Sequence, residues 1–432
     1  MQTNNSYPAF FKPDNISATL KITVACWLLI QLALIVFLWG HPQGSDQGAY
    51  MRIAQECYDL GEWYPAAKHI HADYIWAPGF INYLILQLHL WGTLNINMVL
   101  NLVLQIITLW LIFKTGLYFF SRQTAQIAVI LWCLLYSNLL IVAPAGTELP
   151  FFCLSLMAFY LALSPKLWCF LVAGFLLALA NWIRPVMIIF LLAILIHLVW
   201  KRMNWKYGVA LFFSLVLTIV VIGKATEKKT GYFIYQSTTG GVNLIMTSND
   251  DAYGGVAASV LGNPDNIAYI PEKEKLTFQE KDSIWKARSI EWMLQNPVKA
   301  SGLYIRKIAG LYVEDSWSDR PLFGGDGIVD SYIVAEKASR QQFITQILLR
   351  VLKSLVYYGI FALALYALFR FRKKVFRQPT LILLLLLVMG TAMTCLLAVS
   401  PRYHYPFLFV IVLLAAFGLE QSAMERKNRQ YE

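Results

Sequence analysis

Four charged residues stand almost alone within apolar stretches of the chain. Asp46 follows the first apolar run, Glu148 precedes a Leu-Pro pair, Arg184 precedes a proline, and Arg402 precedes Tyr403. A charge in such a position is costly in a bilayer and usually faces a cavity or a partner. Two carboxylates and two guanidiniums on one face suit an anionic, phosphate-bearing ligand that reacts at the membrane surface.

Each of these residues also has a simpler interpretation. Asp46 begins a short helical pattern and can cap that helix by accepting backbone hydrogen bonds. Either arginine can extend its guanidinium to lipid headgroups. However, the positive-inside rule depletes arginine at outer helix ends, so finding both Arg184 and Arg402 there favours a site.

The composition indicates an integral membrane protein. Of the 432 residues, 58% are hydrophobic and only 14% are charged, whereas soluble domains contain about 25% charged residues. The formal charge of +11 could suggest nucleic acid, but most Lys and Arg lie in short clusters between apolar runs. Such clusters are typical of topology signals, and no nucleic-acid partner is expected.

Ten apolar runs predict an all-α polytopic membrane protein with about ten transmembrane helices. They are Leu20 to Trp39, Ile96 to Phe120, Gln126 to Ala143, Pro150 to Ser164, Leu167 to Trp182, Val186 to Trp200, Tyr207 to Gly223, Ile344 to Phe369, Thr380 to Val399 and Tyr405 to Leu419. An eleventh run, Pro78 to Trp91, is short and contains polar residues.

The basic clusters decide where the eleventh run lies. If Pro78 to Trp91 lies at the membrane surface, the following basic residues face the cytoplasm, as does each terminus: Lys114 with Arg122, Lys166, and the clusters Lys201 to Lys206, Arg370 to Arg377 and Arg426 to Arg429. The sequence then divides into three segments. Residues 1–223 form a transmembrane catalytic module, whose first outer loop (40–95) carries juxtamembrane helices. Residues 224–343 form an extracytoplasmic α or α/β segment, and residues 344–432 form C-terminal transmembrane helices with a basic cytoplasmic tail. Between Asp282 and Val313, helical spacing broken by Pro297 predicts two amphipathic helices.

No metal site is predicted. The string of His69, His71 and Asp73 could bind a metal, but its spacing is unspecific, and solvated loop residues are the favoured interpretation. Aromatic residues of the same loop favour an interfacial belt, a role compatible with stacking on a sugar: Trp63, Tyr64, Tyr74 and Trp76.

The order of short motifs resembles the GT-C glycosyltransferase superfamily, and within it the branch of protein O-mannosyltransferases and aminoarabinose transferases (glycosyltransferase family 39-like). The matching elements span most of the chain: Asp46, Gln47 and Tyr50; Trp76 to Phe80; Thr147 and Glu148; Arg184 and Pro185; Arg402, Tyr403 and Pro406; and the string Gly240, Gly241, Val242, Asn243, Leu244.

This resemblance implies inverting transfer of a sugar from a polyprenyl-phosphate carrier to an acceptor hydroxyl at the extracytoplasmic face of the membrane, as in a bacterial inner membrane. The acceptor, whether lipid, protein or polysaccharide, is left open. Asp46 is then the expected base, and Arg184, Arg402 and Arg52 are expected to offset charge on the lipid phosphate. Glu148 would orient acceptor or sugar, or hold an arginine.

Tyr50 and Tyr403 complete the expected substrate-binding set. Two departures from the family pattern limit the inference. Gln47 replaces the usual second acid, which argues against a metal cofactor while leaving a divalent metal open. Ala77 stands where the aminoarabinose transferases have a lysine, which argues against aminoarabinose as the sugar.

Two other functions are compatible with such a chain. A lipid-linked sugar transporter or flippase would be expected to carry inverted repeats and ionisable groups at mid-membrane, whereas here the charges gather at one face. A non-catalytic envelope-assembly protein would need no gathered charges.

Overall fold

The computed structural model describes residues 16–324, 328, 340–377, 379–397 and 399–430. The protein is 74% helical, and the described residues contain no β-strand. The predicted all-α class is therefore confirmed, and the described part of the 224–343 segment follows the α rather than the α/β alternative. Residues 325–327 and 329–339 of that segment lie outside the described part.

Ten α-helices lie between residues 16 and 230. They are α1 (Ala18–Phe37), α2 (Ser45–Asp59), α3 (Pro78–Trp91), α4 (Ile96–Phe119), α5 (Arg122–Leu134), α6 (Tyr136–Leu140), α7 (Glu148–Ala162), α8 (Leu167–Ile183), α9 (Ile188–Trp200) and α10 (Lys206–Thr230). Helix α3 has the bounds of the eleventh apolar run: Pro78 occupies its first turn, and Gly92 ends it in the left-handed conformation at φ 68°.

Among the described residues after Thr230, nine further α-helices have defined bounds. They are α11 (Gly240–Ile245), α12 (Phe278–Gln295), α13 (Pro297–Tyr312), α14 (Arg320–Phe323), α15 (Arg340–Lys353), α16 (Leu355–Arg370), α17 (Arg372–Val375), α18 (Leu381–Cys395) and α19 (Tyr405–Arg429). The two helices predicted on either side of Pro297 are confirmed as α12 and α13. A capping box between Thr277 and Glu280 starts α12, and Pro297 starts α13.

Within the part of the chain that the structure describes, four helical segments are long and apolar enough to cross a membrane, and a fifth qualifies if a bent pair counts as one span. They are Ala18–Phe37, Ile96–Phe119, Lys206–Thr230, Pro401–Arg429 and the pair Ile344–Lys353 with Leu355–Arg370. Helices α7, α8, α9 and α18 are apolar but shorter. These helices indicate an integral membrane protein, and the count of ten spans remains a prediction.

The run from Ile344 to Phe369, predicted as one span, is two helices bent by 57° at Ser354. The bend has a polar cause. Arg350 and Lys353 at the end of α15 both donate to the carboxylate of Asp319, and the Ser354 hydroxyl accepts from the backbone N–H of Asp315 at 3.0 Å. These contacts hold the end of α15 against the loop that contains Asp315 and Asp319, so only α16 continues as an apolar helix.

Helices α7 and α19 form the centre of the main hydrophobic core. Phe151 and Phe159 on α7 are fully buried, as is nearly every α19 residue from Phe407 to Ala416. A helix that is apolar on all sides belongs in the interior of a bundle. The first residue of α7 and the turn before α19 meet at one end of this core, and this meeting places the charged residues of the candidate site together.

Candidate active site

Asp46 lies in the first turn of α2, one helix after the first predicted span. Gly44 occupies the N-cap position, and no side chain caps the helix. The N-cap interpretation of Asp46 is therefore wrong. Its Oδ2 instead accepts a hydrogen bond from Nη2 of Arg402, which lies 356 residues further along the chain. The Asp46 side chain remains 33% exposed, so it can meet a ligand.

Glu148 is the first residue of α7, and only 3% of its side chain is exposed. Its Oε1 accepts a hydrogen bond from Arg184 Nη1 at 3.0 Å and lies 3.6 Å from Arg402 Nε. Burial of a carboxylate is tolerated when cations compensate it. Glu148 therefore holds both arginines in place.

The two arginines are supplied by helix ends. Arg184 ends α8 in an extended conformation, as expected for a residue before proline. Arg402 lies in the 3₁₀ turn Pro401–His404 that leads into α19. The guanidinium carbons of Arg184 and Arg402 lie 4.3 Å and 5.3 Å from the centroid of the Tyr403 ring, so one ring makes a cation–π contact with each arginine.

His404 anchors the turn that carries Arg402. Its Nδ1 donates to the Leu311 carbonyl oxygen at 2.7 Å, because a carbonyl can only accept. The imidazole also stacks between the rings of Tyr312 and Tyr357, at centroid distances of 5.7 Å and 5.4 Å. A fully buried anchor of this kind restricts where the arginine can reach.

The four charges thus form a chain in which carboxylates and guanidiniums alternate: Asp46, Arg402, Glu148, Arg184. Their formal charges cancel. All four line one cavity of about 330 Å³, together with Tyr50 and Tyr403. Six of the seven residues expected from sequence are therefore brought together around one space.

Tyr50 is buried and meets the rings of Trp76 and Phe80 edge-on, at 5.4 Å between centroids in each case. Burial raises the pKa of the Tyr50 phenol well above its ordinary value, and the nearby Asp46 carboxylate adds to the rise. Tyr50 therefore enters the site as a neutral hydroxyl. Burial also raises the pKa of Tyr74, another wall residue, to about 12.

Arg52 is the expected site residue that the structure does not bring to the cavity. Its side chain is 73% exposed, and its Nε lies 4.0 Å from Glu56 on the next turn of α2. It is absent from the cavity wall. An exposed pair of this type contributes little to stability or binding.

Several wall residues were not expected from the sequence as parts of a site. Ser237 and Thr239 come from the irregular chain between α10 and α11, and Asn243 comes from α11. Asn243 belongs to the glycine-containing string noted in the sequence, and that string is the signal that could have found it. The rings of Tyr74 and Trp76 also line the cavity.

Within the described ranges, no group of three or more His, Cys, Asp or Glu side chains is arranged to hold a metal ion. Asp73 of the histidine-containing string pairs with Lys273 and Lys281, at 2.7 Å and 3.2 Å. Asp46 and Glu148 both face Arg402, so a metal ion between these two carboxylates would have to displace that guanidinium.

No protein-family model matches the chain, and no curated protein matches it in sequence. Solved structures match in fold. An apo oligosaccharyltransferase from Archaeoglobus fulgidus is 12% identical, with a TM-score of 0.50 over 95% of this chain and 51% of that one. ArnT from Cupriavidus metallidurans bound to undecaprenyl phosphate is 12% identical, with a TM-score of 0.49 over 94% of this chain and 61% of that one.

The chain therefore spans between half and three fifths of the length of these structures. The oligosaccharyltransferase is a GT-C enzyme, and the likeness to it confirms, at the level of the fold, the resemblance inferred from sequence motifs. At this identity the likeness establishes the fold alone.

Proposed function

We propose that this protein is an inverting membrane glycosyltransferase that moves a sugar from a polyprenyl-phosphate carrier to an acceptor hydroxyl. The observation that carries the proposal is the alternation of two carboxylates with two arginines around one cavity. Two guanidiniums can form charge-assisted hydrogen bonds to a phosphate. Shared fold alone does not fix an activity, so the argument rests on these side chains.

The exposure of the two carboxylates assigns their roles. Asp46, 33% exposed, acts as the base that takes the acceptor's proton. Glu148, 3% exposed and in contact with both arginines, acts as a positioning residue. The acceptor oxygen attacks the anomeric carbon as the carbon–phosphate oxygen bond breaks, which inverts that carbon and leaves the electron pair on the lipid phosphate.

Phosphate is already a stable leaving group, so no acid is needed to protonate it. Arg184 and Arg402 offset the negative charge that builds on the phosphate as the bond breaks. Tyr403 contacts both guanidiniums, and the neutral Tyr50 hydroxyl can donate to an oxygen of the ligand. Arg52 is left out of this assignment because it is exposed on another face of its helix.

A second, apolar cavity of about 550 Å³ offers room for the carrier's hydrocarbon chain. It lies between α3, α7, α8 and α10, and it shares Ile183 with the wall of the charged cavity. Its rim carries Trp63 and Trp182, residues typical of the membrane interface. A lipid lying in it would carry its phosphate toward the arginines.

The proposal includes a topology. Ten spans with both termini in the cytoplasm place the basic clusters at 114–122, 201–206, 370–377 and 426–429 inward and the charged cavity on the extracytoplasmic side, as in a bacterial inner membrane. In this arrangement residues 1–223 and the C-terminal helices jointly form the catalytic part, because Asp46 and Arg402 come from opposite ends of the chain. A transporter or flippase would differ in outcome, since it leaves the sugar attached to its lipid.

Binding of undecaprenyl phosphate to purified protein in detergent tests the phosphate clamp. Arg184→Ala and Arg402→Ala should each lose about 1.5–3 kcal/mol of affinity, or roughly 10- to 150-fold. Arg52→Ala is the matched control and should bind as the unmodified protein does. Equal affinity in all four proteins would overturn the clamp.

A further inference from the structure

The irregular chain after α10 forms a wall of the charged cavity and is fixed there by backbone contacts. The Thr238 N–H donates to the Ile75 carbonyl oxygen at 3.0 Å, and the Ile75 N–H donates to the Thr238 hydroxyl at 2.8 Å. This two-way pairing lays residues 237–239 beside residues 74–76. Ser237, Thr239, Tyr74 and Trp76 therefore line the same space, and the Ser237 and Thr239 hydroxyls hydrogen-bond each other at 2.8 Å.

Asn243 reaches this cavity because of the glycine before it. The Gly241 N–H donates to Asp282 Oδ1 at 2.6 Å, and a Cβ on Gly241 would lie 2.4 Å from the Asp282 carbonyl oxygen. Only glycine permits α11 to approach α12 so closely. That approach places Asn243, two residues later, in the cavity wall. The string noted in the sequence thus has a positioning role.

The wall formed by Ser237, Thr239, Asn243, Tyr74 and Trp76 contains only uncharged groups. Hydroxyls and an amide can exchange hydrogen bonds with sugar hydroxyls, and aromatic rings can cover the apolar face of a sugar. The charged side chains of the cavity wall are Asp46, Glu148, Arg184 and Arg402, and each of them is paired with another of the four. A sugar that lies against the uncharged wall meets no charged side chain there, so an ammonium or a carboxylate on that sugar would have no partner in this wall.

The size of the cavity limits the ligand further. At about 330 Å³ it lies at the lower end of the roughly 300–1,000 Å³ typical of small-molecule sites. Such a volume suits one sugar ring beside its phosphate.

We propose that Ser237, Thr239 and Asn243, with the rings of Tyr74 and Trp76, form a sugar subsite that accepts a single uncharged monosaccharide. This inference rests on the proposed function, because it assigns the sugar of the same phosphate-linked donor. Asn243 and Thr239 are its specificity-determining residues.

The test measures the binding of three lipids: undecaprenyl-phosphate glucose and bare undecaprenyl phosphate on the unmodified protein and its variants, and undecaprenyl-phosphate aminoarabinose on the unmodified protein. Asn243→Ala and Thr239→Val should each bind the glucose-bearing lipid about 3- to 10-fold more weakly, because each loses a hydrogen bond to the sugar. Their affinity for the bare lipid should not change, which also shows that the variants are folded. Ser301→Ala, on the exposed side of α13, is the control.

Three outcomes separate this inference from the proposed function. If the variants bind undecaprenyl-phosphate glucose as tightly as the unmodified protein does, the sugar subsite is refuted. If they also still bind the bare lipid, the proposed phosphate site at Arg184 and Arg402 is unaffected. Unmodified protein that does not bind the bare lipid overturns the proposed function itself. Tighter binding of undecaprenyl-phosphate aminoarabinose than of undecaprenyl-phosphate glucose would overturn the assignment of an uncharged sugar.

Discussion

Replacing Asp46 with asparagine should separate turnover from donor affinity. In the structure the Asp46 carboxylate accepts from Arg402, the guanidinium that we assign to the donor phosphate. The carboxylate and the phosphate therefore compete for the same cation. The Asp46→Asn variant would keep the shape of the side chain, but its amide could neither take the acceptor's proton nor hold Arg402 by charge.

The two effects differ in sign and size. Loss of a general base lowers turnover by roughly 10²- to 10⁴-fold. The Asp46–Arg402 pair is only partly buried, with side chains 33% and 18% exposed, so removing the competing carboxylate returns about 1 kcal/mol. Bare undecaprenyl phosphate should therefore bind Asp46→Asn about 5-fold more tightly than it binds the unmodified protein.

Purified proteins allow both quantities to be measured, by steady-state transfer and by lipid binding in detergent. Asp59→Asn, at the other end of α2, is the control because Asp59 is exposed and accepts a hydrogen bond from Gln55 on the same helix. Turnover of Asp46→Asn equal to that of the unmodified protein would show that Asp46 is not the base. Weaker binding of the lipid would show that Asp46 orients Arg402 for the phosphate and does not compete with it.

Other contacts give predictions of their own. Glu148→Gln should raise the apparent KM more than it lowers kcat and should lower the unfolding temperature in detergent, because two guanidiniums lose a buried anchor; unchanged values of both would contradict this role. In a cysteine-free background, a cysteine at Ser301 should react with a membrane-impermeant maleimide in intact cells, and one at Lys373 only after lysis; the reverse pattern would refute the topology. Burial lowers the pKa of Lys307 from 10.5 to about 8. Between pH 8 and 10.5 the unfolded chain therefore keeps a proton on Lys307 that the folded protein has lost. The free energy of unfolding should consequently rise with pH across this range. Denaturation of Lys307→Met across this range should lack that rise, whereas the exposed-site control Lys299→Met should keep it; identical pH slopes would contradict the assignment.

The sequence was informative where a charge interrupts an apolar run. Asp46, Glu148, Arg184 and Arg402 stood out for this reason, and all four line one cavity. Their alternating contacts could not be predicted, because they depend on how the N-terminal ends of α7 and α19 meet in three dimensions.

Helix geometry could have excluded Arg52. Tyr50 is four residues after Asp46, and residues four apart share one face of a helix. Arg52 is six residues after Asp46 and therefore lies roughly 120° around the helix from it. In the structure Tyr50 lines the cavity, while Arg52 is exposed.

Two residues of the uncharged wall, Ser237 and Thr239, could not be predicted from the sequence. Ser237 and Thr239 lie in irregular chain, which has no hydrophobic period to interpret, and their segment is positioned by pairing with Ile75, which is 163 residues before Thr238.

Helix length alone does not determine the number of membrane spans. Helix α7 has 15 residues, or about 22 Å, which is shorter than the roughly 30 Å of hydrocarbon.

The most direct test of the central claim is mass spectrometry of membrane lipids from cells that lack the protein. We expect a polyprenyl-phosphate sugar to accumulate, because its consumer is missing. Expression of the unmodified protein should clear it, whereas Asp46→Asn should not. Unchanged lipids in the deletion strain, or clearance by Asp46→Asn as complete as by the unmodified protein, would contradict transfer from a lipid phosphate with Asp46 as base.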